Sequence, residues 1–242
     1  MLTLKTIASS SAGNFHILRR NDEVLILDCG IPMAKIKQAL NWQIGGIKAV
    51  LVTHVHQDHS KSIQNFRNMG IEAFAPYEQS VKKPQCKQFG GFKVTSLPML
   101  DKSMEVWQHT NTDLSQCPIY GFLIEADGQK LLYVTDTKQC VWNFKAQKLN
   151  HILLGTNYQL ELLEDNAKRN HSLTGHMSLS TAVAMIEANS TDALRNVILC
   201  HLSAQNSDSD KMLAEVQKAA GCGVKCICAE PGLEIELSEY PF

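Results

Sequence analysis

The sequence predicts an α/β fold in one domain over residues 1–242, with two β-sheets packed together and helices covering both outer sides. Three observations predict it. The first half of the chain is a succession of short apolar or alternating runs, which is how strands read. The second half interleaves such runs with amphipathic stretches of helical period. At 242 residues, 44% hydrophobic and 19% charged, the chain is long enough to bury one large core.

Alternation and apolar runs place strands near residues 2–8, 14–19, 23–28, 48–53, 72–75, 92–97, 104–108, 120–126 and 130–135. More follow near 151–155, 196–201, 224–229 and 233–237. Helical periodicity is found near 33–41, 60–69, 158–167, 178–189 and 208–220. Gly70 and Gly221 stand where a chain leaves a helix, and Ser178 and Asp208 where a side-chain oxygen can cap one. Asp127-Gly128 between two apolar runs predicts a tight hairpin, because both residue types tolerate positive φ. No repeat, low-complexity segment or linker interrupts the chain.

Composition narrows the function. No apolar stretch approaches a membrane span, and Met1-Leu2-Thr3-Leu4-Lys5 reads as a strand rather than a signal peptide, so a cytoplasmic location and no membrane partner are expected. The net charge is −1, and the only local basic excess is Lys82, Lys83, Lys87 and Lys93, read as a solvated face. That balance argues against strong non-specific nucleic-acid binding and suits a small phosphodiester. Of eight cysteines, Cys29, Cys117, Cys140 and Cys200 are scattered near strand ends, while Cys222, Cys226 and Cys228 are clustered. Three thiols, two of them on one strand, are read as reduced and mostly buried rather than as a structural zinc site.

The chemistry is concentrated in residues 54 to 59, His-Val-His-Gln-Asp-His, directly after the apolar run Ala49-Val50-Leu51-Val52-Thr53. A buried strand positions these groups and the following turn lets them converge. Neutral imidazole and carboxylate are the donors that zinc, manganese and iron take. Four of them on one loop can serve two neighbouring ions, with His54 and His56 facing one and Asp58 and His59 the other.

Further segments follow in order: Ser9-Ser10-Ser11-Ala12-Gly13-Asn14, Val24 to Gly30 with its Asp28-Cys29-Gly30 ending, His109 before Pro118-Ile119-Tyr120-Gly121-Phe122, Tyr133-Val134-Thr135-Asp136-Thr137, Gly175-His176-Met177-Ser178, and His201-Leu202-Ser203 with Asn206. On these residues the chain resembles the metallo-β-lactamase superfamily from end to end. It is similar in particular to the WalJ/YycJ-like branch of bacterial and phage phosphodiesterases and nucleases.

The resemblance implies a four-layer αββα sandwich with the site at one edge, where strand-end loops meet. It implies two divalent metal ions, zinc with manganese or iron as alternatives. His54, His56 and His109 would hold the first, Asp58, His59 and His201 the second, and Asp136 would bridge them. The branch usually has His-Asp where this chain has His109-Thr110, and Asp101 competes with His109 from register. His176 is read as general acid or phosphate contact, with His171 as an alternate. Ser10, Ser11 and Asn14 lie in a hydroxyl-rich loop suited to phosphate oxygens. Asp28 would orient a histidine ligand from behind. The branch often shows Asn-x-Asp where this chain has Asn157-Tyr158-Gln159, which leaves that segment without an assigned role. His16 and His151 are assigned to strands. A homodimer is expected from family habit.

The implied activity is phosphodiester hydrolysis in nucleic acid or cyclic nucleotides, with Asp58 and His176 as catalytic residues and a hydroxide shared by the two ions as the nucleophile. Three alternatives stand beside it. One is the same site restricted to cyclic nucleotide signals, as in phage-linked relatives that counter bacterial defence. Another is thioester or lactam hydrolysis. The last is a non-catalytic binding protein, which would carry a broken ligand set.

Overall fold

The computed structural model describes residues 1–163 and 169–238. Strand β1 (Leu2–Ser10) buries every second residue at its start, and it pairs antiparallel with β2 (Gly13–Arg20), which pairs with β3 (Glu23–Leu27). Helix α1 (Met33–Ala39) then crosses to β4 (Ile47–Leu51), parallel to β3. Two short helices, α2 (Gln57–Ser60) and α3 (Ile63–Asn68), lead to β5 (Ala73–Phe74). An antiparallel meander follows: β6 (Gln85–Phe89), β7 (Phe92–Pro98), β8 (Tyr120–Ala126) and β9 (Gln129–Val134). Next come β10 (His151–Gly155), α4 (Arg169–Gly175), α5 (Leu179–Asn189), β11 (Asn196–Cys200), α6 (Ser209–Ala220), β12 (Lys225–Cys228) and β13 (Glu234–Glu236).

The strands form two sheets, ordered β13-β1-β2-β3-β4-β5 and β12-β11-β10-β9-β8-β7-β6. Strands β10 and β11 are buried at every residue and read as continuous apolar runs, as parallel strands covered on both faces must. Leu25, Leu27 and Leu51 of one sheet meet Phe122, Tyr133 and Leu153 of the other in the central core. The outer face of the first sheet packs Ile26 and Val50 against Ile36 and Phe66 of α1 and α3. That of the second packs Ile152 and Val197 against Ile186 and Val216 of α5 and α6. Helix, sheet, sheet and helix are therefore stacked as the αββα resemblance implies.

The caps form as the residue types predict. Ser178 accepts from the Thr181 N–H and Asp208 from the Lys211 N–H, and the Asp127-Gly128 turn has both φ values positive.

Four expectations change. Residues 104–108 form no strand, because the Asp101 carboxylate accepts from the Glu105 and Val106 N–H groups and holds a turn in their place. The helix expected over 60–69 is broken, because the Ser62 N–H donates to the Cys29 carbonyl and its hydroxyl to that of Ile31. In place of a helix over 158–167 there is a single 3-10 turn at Leu160–Leu162, and 164–168 lie outside the described residues. Strand β6 and helix α4 were not expected, being polar and short, and β6 exists through pairing with β7.

Candidate metal centre

The strand exits of both sheets converge on one cleft. Three of them turn through left-handed backbone at non-glycine residues, Asp28 after β3, Asp136 after β9 and His201 after β11, with φ of 57°, 48° and 53°. Such conformations cost free energy and persist where surrounding bonds over-determine them.

Those bonds set the ring orientations. His59 donates from Nδ1 to Asp28 Oδ2 at 2.7 Å, and Asp28 also accepts from the Thr53 N–H, the Thr53 hydroxyl and the Tyr133 hydroxyl. Thr53 Oγ1, its proton committed to Asp28, accepts from His54 Nδ1 at 3.0 Å. His109 donates from Nδ1 to the Gly175 carbonyl at 2.7 Å, and His56 from Nε2 to Asn111 Oδ1 at 2.8 Å. In His54, His56 and His109 the other nitrogen is left as a lone pair facing inward, the arrangement in which outer partners prepare a histidine for a metal, while His59 turns its Nε2 inward to the Asp58 and Asp136 carboxylates.

The inward atoms form two groups, His54–His56–His109 and Asp58–His59–Asp136–His201, each with ligand atoms within 4.8 Å of one another. Asp136 faces both groups: its Oδ2 lies 2.7 Å from His59 Nε2, 3.3 Å from His201 Nε2 and 3.9 Å from His54 Nε2. His54 Nε2 is fully buried without a hydrogen-bond partner. A buried lone pair with no donor is costly unless a cation takes it. The donor set therefore fits a metal ion.

Electrostatics agree for His54 and His109. Burial holds His54 well below the ordinary histidine range and His109 down to about 3, so both rings stay neutral. Burial would also lower His59, but the Asp28 and Asp136 carboxylates outweigh it and raise the ring instead. Burial would raise Asp136, and the His201 and His59 rings overcome it and hold the carboxyl well below its usual range.

Every histidine and aspartate expected to ligate is thus brought to the cleft, including His109, which sits 3.2 Å from His56 Nδ1. Asp101 is bound in its own exposed turn instead. His176 lines the cleft with Nδ1 3.1 Å from Asp136 Oδ1. The His171 side chain lies outside the described residues. Ser11 lines the cleft. Asn14, expected at the phosphate, is buried behind the ligands, its amide on His59 Nε2 and the Asp58 carbonyl, while Ser10 braces that loop. Asn157, which the sequence left without a role, donates to Asp136 Oδ1 and reaches His201 Nδ1 at 2.9 Å. Asn111, Thr53 and Tyr133 were also missed; only Thr53, adjacent to His54, carried a signal in its position.

All eight cysteines are free thiols, and among the described residues Cys222, Cys226 and Cys228 enter no such cluster. Lys87 and Lys93 pair with Glu72 and Glu125. No helix among the described residues is long and apolar enough to cross a membrane.

The family model of the metallo-beta-lactamase superfamily matches residues 10–70, and the fold and the two ligand groups agree with that likeness. The exodeoxyribonuclease YycJ of Bacillus anthracis is 23% identical over 256 residues, 92% of each chain. The anti-Pycsar protein Apyc1 of Paenibacillus xerothermodurans is 30% identical over 88 residues, 31% of this chain and 35% of that one. Among solved structures, the metallo-beta-lactamase fold protein YhfI of Bacillus subtilis superposes with a TM-score of 0.71 at 15% identity, over 97% of this chain and 98% of that one.

Metal loading is expected to raise Tm. At a concentration 100 times Kd, binding adds about 2.7 kcal/mol, or roughly 5–10 °C for a domain of this size. Calorimetry of chelated protein with and without added zinc or manganese checks this, and an unmoved Tm counts against the centre.

Proposed function

We propose that the chain is a phosphodiesterase that uses two divalent ions and acts on nucleic acid or cyclic nucleotides. The observation that carries this reading is Asp136, whose carboxylate faces both histidine groups at once. Likeness to an exodeoxyribonuclease along nearly the whole chain supports it.

His54, His56 and His109 would hold one ion, Asp58, His59 and His201 the other, and Asp136 would be shared. When bound, such a pair activates water and neutralises charge developing on phosphoryl oxygens. The protein's own part is positional. Asp28 and Thr53 lock His59 and His54, Asn111 locks His56, and Asn157 steadies His201 against Asp136. His176, braced by Asp136, is placed to give a proton to the leaving oxygen. Ser11 offers a hydroxyl to the phosphate. The cavity next to the cleft is large enough for a single nucleotide.

Product analysis tests the reading. Zinc- or manganese-loaded protein, with an Asp58→Asn control, is offered 3′,5′-cyclic nucleotides and 5′-phosphorylated single-stranded DNA in parallel. Linear mononucleotide or shortened DNA is expected from the wild type alone, and two inert substrates would reject the reading. His176→Gln is expected to lower kcat roughly 10²-fold with metal content kept. The loss should shrink on bis(p-nitrophenyl) phosphate, whose leaving group needs no proton. An equal loss on both substrates would assign His176 a structural role.

A further inference from the structure

Beside the ligand groups the cleft deepens into a cavity of about 580 Å³, inside the roughly 300–1,000 Å³ of small-molecule pockets. It shares Ser11, Thr112, His176 and His201 with the cleft over the ligands. A group seated in it can therefore be joined directly to a phosphate at the ions. Its far wall is neutral and hydrogen-bonding, made by Asn157, Tyr158, Ser172, Ser203 and Asn206, with Leu202 as an apolar face.

This wall is fixed from outside the cavity. Ser203 Oγ accepts from the Asn206 N–H at 3.2 Å, and the Ser203 N–H donates to the Asn157 carbonyl at 2.9 Å. Gln159 binds the same loop twice, its N–H donating to the Asn206 carbonyl at 2.8 Å and its Oε1 accepting from the Asp208 N–H at 2.6 Å. The backbone of Asn206 is thus held on both sides, whereas its half-buried side-chain amide makes no hydrogen bond among the described residues. The Tyr158 hydroxyl makes none either, although Tyr158 is only 5% exposed. A primary amide presents a donor and an acceptor side by side, which matches the edge of a nucleobase.

We propose that this cavity seats the base of a single-nucleotide substrate, and that Asn206 and Tyr158 select which base. The proposal rests on the phosphodiesterase reading. Its test compares metal-loaded wild type, Asn206→Ala and Tyr158→Phe on the 3′,5′-cyclic forms of AMP, GMP, CMP and UMP, and on bis(p-nitrophenyl) phosphate, a diester without a base. Binding of the four nucleoside 5′-monophosphates is measured by calorimetry alongside.

The wild type is expected to rank the bases over about tenfold or more in rate and in binding, and Asn206→Ala to compress that ranking by about the same factor. The loss on the preferred cyclic nucleotide should exceed the loss on bis(p-nitrophenyl) phosphate severalfold. Equal treatment of all four bases by the wild type overturns the proposal, as does a ranking that survives both substitutions. If no diester is cleaved but monophosphates bind with an Asn206-dependent ranking, the phosphodiesterase reading falls and the base pocket stands. If DNA is cleaved and no monophosphate binds, the pocket falls and the reading stands.

Discussion

On the proposed two-ion reading, Asp58→Ala is expected to release one ion per chain and to lower kcat/KM on the order of 10³-fold, more than the roughly 10–100-fold that outer partners of a ligand cost. The reason is position. Asp58 Oδ2 lies 3.3 Å from both His59 Nε2 and His201 Nε2, so it closes the second ligand group. Burial would raise its carboxyl, but hydrogen bonds from His201 and His59 overcome that and keep it ionised, the form a cation needs. Its side chain reaches the cleft surface at 22% exposure, so the stability of the metal-free protein should change by less than about 1 kcal/mol. Asp58→Asn separates shape from charge: it keeps the volume and removes the anion. Metal content by elemental analysis, kcat/KM and Tm together read the result. Full metal content with full activity would refute the role of Asp58. A Tm lowered in the chelated variant as well would show a structural cost, whereas a fall confined to the metal-loaded protein is the expected loss of an ion.

The layers of the fold were legible because they depend on periodicity. Strands β10 and β11 are continuous apolar runs, and α5 and α6 carry their own caps, so each is specified within its own residues. The ligand loop was legible for the same reason, since four donors lie within six residues. The groups that hold those donors were not. Asn111 reaches His56 from 55 residues away, Asn157 reaches His201 from 44, and Tyr133 reaches Asp28 from 105. An asparagine or tyrosine has no motif of its own, and only the converging strand ends give it a partner. Local side-chain bonds also misled the reading of elements. Asp101 captures backbone N–H groups where alternation implied a strand, and Ser62 breaks a helix that the apolar spacing implied.

Gly30→Ala should do the most damage of any glycine-to-alanine change in this chain. A Cβ at Gly30 would sit 1.6 Å from the carbonyl oxygen of Asp58, 2.0 Å from its carbonyl carbon and 2.7 Å from the His59 nitrogen. All three are backbone atoms, so no rotamer change can relieve the overlap. Nor can residue 30 retreat easily: its N–H donates to the Asn14 carbonyl at 2.9 Å, and the neighbouring Cys29 N–H donates to the His59 carbonyl at 2.7 Å. These contacts explain why a glycine must follow Asp28-Cys29: the exit of β3 and the start of α2 approach each other closer than any side chain allows. The expected cost is about 3 kcal/mol or more, the upper range of overpacking, and a large part of the 5–15 kcal/mol that holds a domain together. Any protein that folds should have Asp58 and His59 displaced by about 1 Å, a misplacement that can cost 10²-fold in rate. Gly45→Ala is the matched control, because a Cβ there has nothing within 4 Å. Denaturant unfolding of the two variants against the parent, with metal titration of whichever folds, decides the matter. If Gly30→Ala unfolds at the same midpoint as Gly45→Ala and binds metal as the parent does, then the close approach of these two segments is not what builds the centre.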